Sequence, residues 1–241
     1  MMSVAGLLGT VGVSGWQWIV GNRGEVWSRF LEHVELTVIA VVVGFVISFP
    51  LAVWAHRNRR VYAPITWVAG LLYTIPSLAL FVILIPITGL TVLTAEIGLI
   101  SYTLLILIRN IVAGLSAVPE DVKEAARGMG YTNGELLWHV ELPLALPAIM
   151  AGIRIATVST IGLVTVAALI GKGGLGQFIL EGLQTFFQAE ILTGTVLSFA
   201  FALAADGLLL LAERALTPWA RGRTTRVRPF ATPRKAGFPV T

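Results

Sequence analysis

Five long apolar stretches, each almost free of charge, constrain this chain more than any other feature. A helix needs about 20 apolar residues to cross a hydrocarbon core roughly 30 Å thick. The stretches reach that length because 56% of the 241 residues are hydrophobic and only 12% are charged. The sequence therefore predicts an all-α polytopic membrane protein with five transmembrane helices. The predicted spans are residues 34–55, 65–87, 97–117, 147–170 and 191–212.

The segment before the first span is apolar but rich in glycine, and it lacks the basic start of a cleavable signal peptide. We predict that residues 1–33 form an external or interfacial segment. Trp16, Trp18 and Trp27 are its candidate anchors at the lipid headgroups. A sixth, half-inserted helix in this region is the alternative.

The positive charges predict the orientation, because short cytoplasmic loops accumulate Lys and Arg. One side of the predicted topology holds only Arg23, Arg29 and Lys172. We therefore predict an external N-terminus, a transmembrane domain over 34–212 and a basic, disordered cytoplasmic tail over 213–241. The opposite, cytoplasmic side holds Arg57, Arg59, Arg60, Lys123, Arg127, Arg214, Arg221, Arg223, Arg226, Arg228, Arg234 and Lys235.

A glycine pattern, Gly171-x-Gly173-x-x-Gly176, has the spacing of a dinucleotide-binding turn. That spacing indicates a nucleotide only where it follows a β-strand and opens a helix. Here it follows an apolar predicted span and falls on the external side. We interpret it as a tight turn that ends a helix, and we expect any ATP to be bound by another subunit.

Covalent chemistry is not indicated anywhere in the chain. There is no cysteine, and the three histidines, His33, His56 and His139, do not have a metal-ligand spacing. No set of nucleophile, base and acid can be assembled. We expect no enzyme activity, no cofactor, no metal and no nucleic-acid partner.

The segment between spans three and four, residues 119–146, has the sequence pattern of two short helices and a bend. Pro119 suits a helix start, and Gly130 suits a left-handed helix stop. The pattern Thr132-x-x-Glu135 indicates a capping box at the start of a second helix, which we expect to run through about His139. We expect Pro143 and Pro147 to break the chain before it enters the membrane.

Residues 119–146 resemble the EAA signature of membrane subunits in binding-protein-dependent ABC importers; we call them the coupling segment, after the role that the resemblance implies. The matching residues are Glu124, Ala125, Ala126, Gly130, Val140, Leu142 and Pro143, with Val140 in place of the usual Ile. The resemblance implies a type I importer permease fold, in which this segment docks on a cytoplasmic ABC ATPase. It also implies multi-pass insertion in the cell membrane, a second permease subunit and an external substrate-binding protein.

A narrower resemblance, to permeases of osmoprotectant importers, covers residues 30 to 212. Four stretches carry it: YTIPSLALF at 73–81, LIRN at 107–110, the run at 127–158 and AALIGKGGLGQFI at 167–179. This branch implies a small osmolyte such as glycine betaine, carnitine, choline or proline betaine. The alternatives are an importer of the same architecture for another solute such as methionine, an ion-coupled carrier, and a membrane scaffold.

Three ionisable residues, Arg109, Arg154 and Asp206, fall inside predicted spans at similar depth. Each costs roughly 2.5–3.5 kcal/mol at a helix centre, so each needs a reason. Our hypothesis is that Asp206 pairs with Arg154 or Arg109 inside the bundle. The alternative is that each arginine extends its charge to the interface.

Span two contains a proline that interrupts its helix. A proline frees backbone carbonyls, which transport proteins tolerate where they face a cavity. We expect the residues around it to line the translocation pathway through weak contacts, including cation–π attraction to a quaternary ammonium. Plain helix packing is the alternative role for Tyr73, Thr74, Pro76, Ser77 and Phe81.

Overall fold

The computed structural model describes residues 17–221, and every regular element in that range is a helix. The elements are α1 Arg23–Arg57, α2 Arg59–Thr74, α3 Ser77–Thr88, α4 Val92–Ser116, α5 Glu120–Gly128, α6 Asn133–Leu136, α7 Leu142–Ala167, α8 Gly176–Thr185 and α9 Gln188–Leu216. A π-helical turn, Leu137–Glu141, joins α6 to α7. Short 3-10 turns occupy Ala168–Ile170 and Pro218–Arg221.

The number of membrane-crossing elements in the described range is four, or the predicted five if one bent pair of helices counts as a span. Four stretches are long and apolar enough to cross a bilayer: Arg23–Arg57, Val92–Ser116, Asn133–Ile170 and Gln188–Leu216. Together α2 and α3 meet the same criterion, but they bend by 95° where they join. The all-α class is therefore confirmed, with four continuous helices and one bent pair in place of five straight spans.

The N-terminal segment is helical where the structure describes it. Residues 17–21 are helical, and α1 begins at Arg23, well before the predicted start of span one at residue 34. Trp18 packs edge to face on Phe178, with ring centroids 5.3 Å apart. This contact holds the segment against α8, whereas Trp27 is 60% exposed. Trp16 and most of the predicted tail, residues 222–241, lie outside the described range.

The predicted break at Pro143 and Pro147 is wrong, because one continuous helix runs from Asn133 to Ile170. Proline lacks an N–H and its ring clashes with the carbonyl four residues earlier. For Pro143 that carbonyl belongs to His139, which lies in the π-helical turn. The amide of Leu142 bonds to Leu137, five residues back, so the wider turn makes room for the proline ring.

The bundle is built around α4, which packs between α1 and α7. Small residues allow these helices to approach closely, as is usual in membrane proteins. A methyl group added at Gly152 of α7 would lie 2.5 Å from Cβ of Asn110 on α4. A methyl added at Gly98 of α4 would overlap the ring of Phe81. Residues buried in this core are Leu36, Ala40, Leu99, Leu107, Ile108, Ile111, Ile149, Ala156, Ile161 and Val164.

The glycine pattern forms a turn between α7 and α8, as predicted. Gly171 has φ 76°, the left-handed conformation that ends a helix with little strain in glycine. A methyl at Gly174 would lie 2.6 Å from Cβ of His33, so this glycine allows α1 to approach the turn. No strand precedes the turn in residues 17–221, as a dinucleotide site would require. The sequence did not predict α8, which follows the turn and packs on α9.

The close contact between α4 and α7 makes a testable prediction. Gly152→Ala should lower the melting temperature of the detergent-solubilised protein, because the added methyl forces the helices apart at a cost of roughly 1–3 kcal/mol. The matched control is Gly162→Ala on the same helix, where no atom lies within 4 Å. Circular dichroism during heating measures both. Equal melting temperatures for the two variants would contradict this account of the packing.

Candidate functional site

The coupling segment projects from one end of the bundle as α5 followed by a tight turn. Gly130 has φ 91°, and its amide bonds to Arg127 O at 2.9 Å. The amide of Tyr131 bonds to Ala126 O at 3.2 Å. These two bonds form a Schellman motif, so the predicted left-handed stop at Gly130 is confirmed.

The second predicted signal, the capping box, is also present. The amide of Glu135 donates to Thr132 Oγ1 at 3.3 Å, and Glu135 Oε2 accepts from the amide of Thr132 at 2.8 Å. Pro119 is the residue before α5, one position earlier than predicted. The local sequence signals therefore set both ends of the turn between α5 and α6.

The helix α5 has one buried face and one exposed face. Ala126 is 2% exposed and Lys123 is 7% exposed, and both face the bundle. Glu124 and Ala125 point outward, with Met129 72% exposed beside them. Val140, Leu142 and Pro143 are partly buried behind α5, in the π-helical turn and the start of α7. The seven signature residues therefore divide between an outward surface and its support.

A buried charge cluster joins α5 to the bundle; it consists of His56, Lys123 and Glu141. Lys123 Nζ lies 3.9 Å from Glu141 Oε1, and both side chains are only 9% exposed. His56 Nε2 lies 3.6 Å from the same oxygen, at the end of α1. His56 Nδ1 lies 3.2 Å from Ser116 Oγ, at the end of α4. One carboxylate thus connects α5, α1 and the base of α7, and Ser116 adds α4.

Sequence reasoning missed this cluster. Glu141 lies inside the signature, between Val140 and Leu142, but its partners are distant in sequence. Outside the cluster, Glu120 accepts from Arg127 Nη1 at 2.9 Å and contacts Lys123 Nζ at 3.5 Å. The hydrogen bond from Arg127, with a smaller contribution from Lys123, holds the pKa of the exposed Glu120 carboxyl below its usual value. These groups line a polar cleft of about 730 Å³ beneath α5.

A second cavity lies at the bend between α2 and α3; we call it the bend cleft, and its volume is about 400 Å³. Four of the five predicted pathway residues line it: Tyr73, Thr74, Pro76 and Ser77. Phe81 does not, because it is fully buried in the core against Gly98. The 95° bend turns α3 so that Phe81 faces α4.

The other wall of the bend cleft was not predicted. It is formed by Tyr102 of α4 and by Ser159 and Thr160 of α7. The Tyr102 hydroxyl donates a hydrogen bond to Ile75 O, a carbonyl at the bend. Ser159 and Thr160 carry no sequence signal of their own, since hydroxyls inside apolar helices usually bond to their own backbone.

The intramembrane charges are not all paired in the same way. Arg154 donates to both carboxylate oxygens of Asp206, at 2.8 and 2.9 Å, which ties α7 to α9. Glu213, two turns further along α9, adds a contact at 3.3 Å that the sequence did not predict. The pair is partly exposed, at 25% and 38%, and does not lie in a closed interior. Arg109 is exposed and forms no ion pair within residues 17–221.

The described part of the chain holds no group of three or more metal-ligating side chains. Its notable features are structural: an outward helical surface supported by buried charge, and a neutral cleft at a broken helix. These features can transmit force and admit a solute.

Comparison with known proteins agrees with this geometry. The family described as the binding-protein-dependent transport system inner membrane component matches residues 37–217. The choline transport system permease protein OpuBB of Bacillus subtilis is 37% identical over 202 residues, covering 84% of this chain and 93% of that protein. The glycine betaine/carnitine/choline transport system permease protein OpuCB of the same organism is 36% identical over 197 residues, covering 82% and 91%.

Among solved structures, the inward-facing methionine ABC transporter MetNI matches the fold with a TM-score of 0.71. The alignment is 24% identical and covers 84% of this chain and 98% of that chain. The family match spans most of the chain, from α1 to the end of α9, and includes both the coupling segment and the bend cleft. The chain therefore belongs to the family of inner membrane components of binding-protein-dependent transport systems.

Proposed function

We propose that this chain is the permease subunit of an ATP-driven importer for small quaternary ammonium osmoprotectants, such as glycine betaine, carnitine, choline or proline betaine. One observation carries the proposal. Relatives that match four fifths of this chain at 36–37% identity are named as permeases for choline and for glycine betaine, carnitine and choline.

The outward surface of α5 is the docking surface for an ATPase subunit in this proposal. Ala125 is small and allows close approach, while Val122 and Met129 are apolar side chains left exposed, at 37% and 72%. Apolar side chains exposed outside the membrane-spanning bundle are typical of an interface with another protein. The distribution of Lys and Arg supports a cytoplasmic location for α5, with the N-terminus outside.

The buried charge cluster is the rigid connection behind that surface. Glu141 lies at the base of α7, and α7 runs uninterrupted to Ala167. A displacement of α5 by a closing ATPase therefore moves α7 directly. Two permease subunits, each gripped by an ATPase, would open the pathway outward to receive solute from an external binding protein.

Uptake by the reconstituted importer tests the substrate class. We expect ATP-dependent uptake of labelled choline, glycine betaine or carnitine into proteoliposomes that contain the permease, its ATPase and its external partner. Uptake that an uncoupler abolishes and ATP depletion does not would favour the ion-coupled carrier. Uptake of methionine that is insensitive to quaternary ammonium competitors would favour the amino-acid alternative.

Substitution at Ala125 tests the docking surface. Ala125→Trp should reduce both ATPase co-purification and uptake at least tenfold, because a large side chain prevents close approach. Ala125→Ser is the matched control and should retain both. Since position 125 is exposed, the melting temperature of the permease alone should not change. A tryptophan variant that still co-purifies with normal amounts of ATPase would count against this surface.

Removing the charge of Lys123 tests whether the buried charge cluster connects α5 to α7. In Lys123→Met the buried Glu141 carboxylate loses a partner, which lowers the stability of the fold by roughly 1–3 kcal/mol. The number of solute molecules moved per ATP hydrolysed should fall several-fold. Arg127→Met is the control, because Arg127 also pairs with Glu120 but is 49% exposed, and exposed ion pairs contribute little to stability. The measurement is the ratio of uptake to phosphate release. The same ratio in both variants would refute a coupling role for the cluster.

A further inference from the structure

We infer that the bend cleft is a transient binding site for the quaternary ammonium group of the transported solute. The inference rests on the proposed function, and it adds the place within the permease where the solute is held. It draws on three independent features: the bend, the aromatic rings and a set of unpaired hydroxyls.

The bend creates the space. Ile75 has an extended backbone, with φ −62° and ψ 127°, as residues before proline prefer, and the helix stops there. The direction of the chain changes by 95° between α2 and α3. The cleft that opens has walls from α2, α3, α4 and α7. Its volume, about 400 Å³, lies within the usual range for small-molecule sites.

Two aromatic rings line the cleft, one from each wall. Tyr73 and Tyr102 meet edge to face, with centroids 5.8 Å apart. The hydrogen bond from Tyr102 to Ile75 O fixes one ring, while Tyr73 is 44% exposed. A quaternary ammonium has no N–H to donate, so aromatic faces are among the few groups that attract it.

Three hydroxyl groups without hydrogen-bond partners in the described chain also line the cleft. Thr160 is only 1% exposed, but its hydroxyl makes no hydrogen bond to any residue in 17–221. Thr157, one turn earlier, donates to Ile153 O at 2.8 Å in the ordinary way. Ser77 and Ser159 also line the cleft without a hydrogen bond in the described range. Ser77 and Ser159 are partly exposed in the cleft, so these hydroxyls are free to hydrogen-bond a polar ligand there.

The lining of the cleft suits a site that must release its ligand. No residue that lines it carries a charge. A neutral aromatic and hydroxyl lining attracts a cation weakly, whereas a carboxylate would hold it strongly. Ser159 also lines the neighbouring groove that contains Arg154 and Asp206.

The experiment measures weak binding directly, without the external partner. The full-length permease with its ATPase is placed in nanodiscs, and saturation-transfer NMR is recorded with choline and with its neutral isostere 3,3-dimethyl-1-butanol. We expect transfer to the choline methyl groups and much less to the isostere. Tyr73→Leu should weaken choline binding about 2- to 30-fold, and Tyr73→Phe should restore it. Thr160→Val should weaken binding about 2- to 10-fold, and the matched Thr157→Val should not.

Uptake assays on the same variants separate the two proposals. If the wild-type importer moves no quaternary ammonium solute, the proposed function fails and this inference fails with it. If it moves choline but the nanodisc complex shows no transfer, or shows equal transfer in Tyr73→Leu and wild type, only the bend cleft is refuted. Melting temperatures verify folding. Should Thr160→Val not fold, Tyr73→Leu still decides, because its side chain is exposed.

Discussion

The requirement that backbone N–H and C=O groups find partners inside the protein shapes each irregular point of this fold. At Pro143 the helix widens into a π turn, and Leu142 bonds five residues back instead of four. At the bend, the Ile75 carbonyl has lost its helical partner and accepts from the Tyr102 hydroxyl. Both irregularities occur where helices meet the coupling segment or the bend cleft. The places where the helical pattern fails are therefore the candidate functional places.

Close packing makes the bundle suited to transmit movement. Gly152 and Gly98 bring α7 and α3 against α4 with no space for a methyl group. Such contacts change in steps, because packed helices deform little. From Glu141 to Thr160 the chain is one helix of roughly 28 Å, at about 1.5 Å per residue. A shift at the buried charge cluster thus reaches the wall of the bend cleft through a single rigid element.

Local sequence signals predicted local structure well, but they did not predict contacts between residues that are distant in the sequence. The spans follow from length and apolarity, and the capping box at Thr132 and the stop at Gly130 follow from neighbouring residues. The cluster of His56, Lys123 and Glu141 forms where three separate segments meet, and the spacing of these residues in the sequence does not predict that contact. Phe81 was assigned to the pathway because it lies near Pro76, and the direction of the bend removed it from the cleft. The π turn escaped prediction because proline usually ends a helix, and here a wider turn accommodates it.

The three predicted intramembrane charges show how the same cost is met in different ways. Arg154 meets it with two hydrogen bonds to Asp206, and Glu213 supplies a second carboxylate. Arg109 has no such pair in the described chain, but it is exposed and lies within two turns of the end of α4. Its long side chain can carry the charge to the interface.

The pair between α7 and α9 has a structural consequence of its own. Most of α9 is exposed, with Phe199 and Leu208 more than 60% accessible. It packs along α7 and α8, and its Phe201 ring meets Phe30 of α1 edge to face. Hydrophobic attraction between helices is absent in lipid, where the solvent is as apolar as leucine. A bidentate ion pair is directional, and it therefore adds to packing in setting the rotation of α9 about its axis. That rotation decides which face of α9 is directed away from α7 and α8.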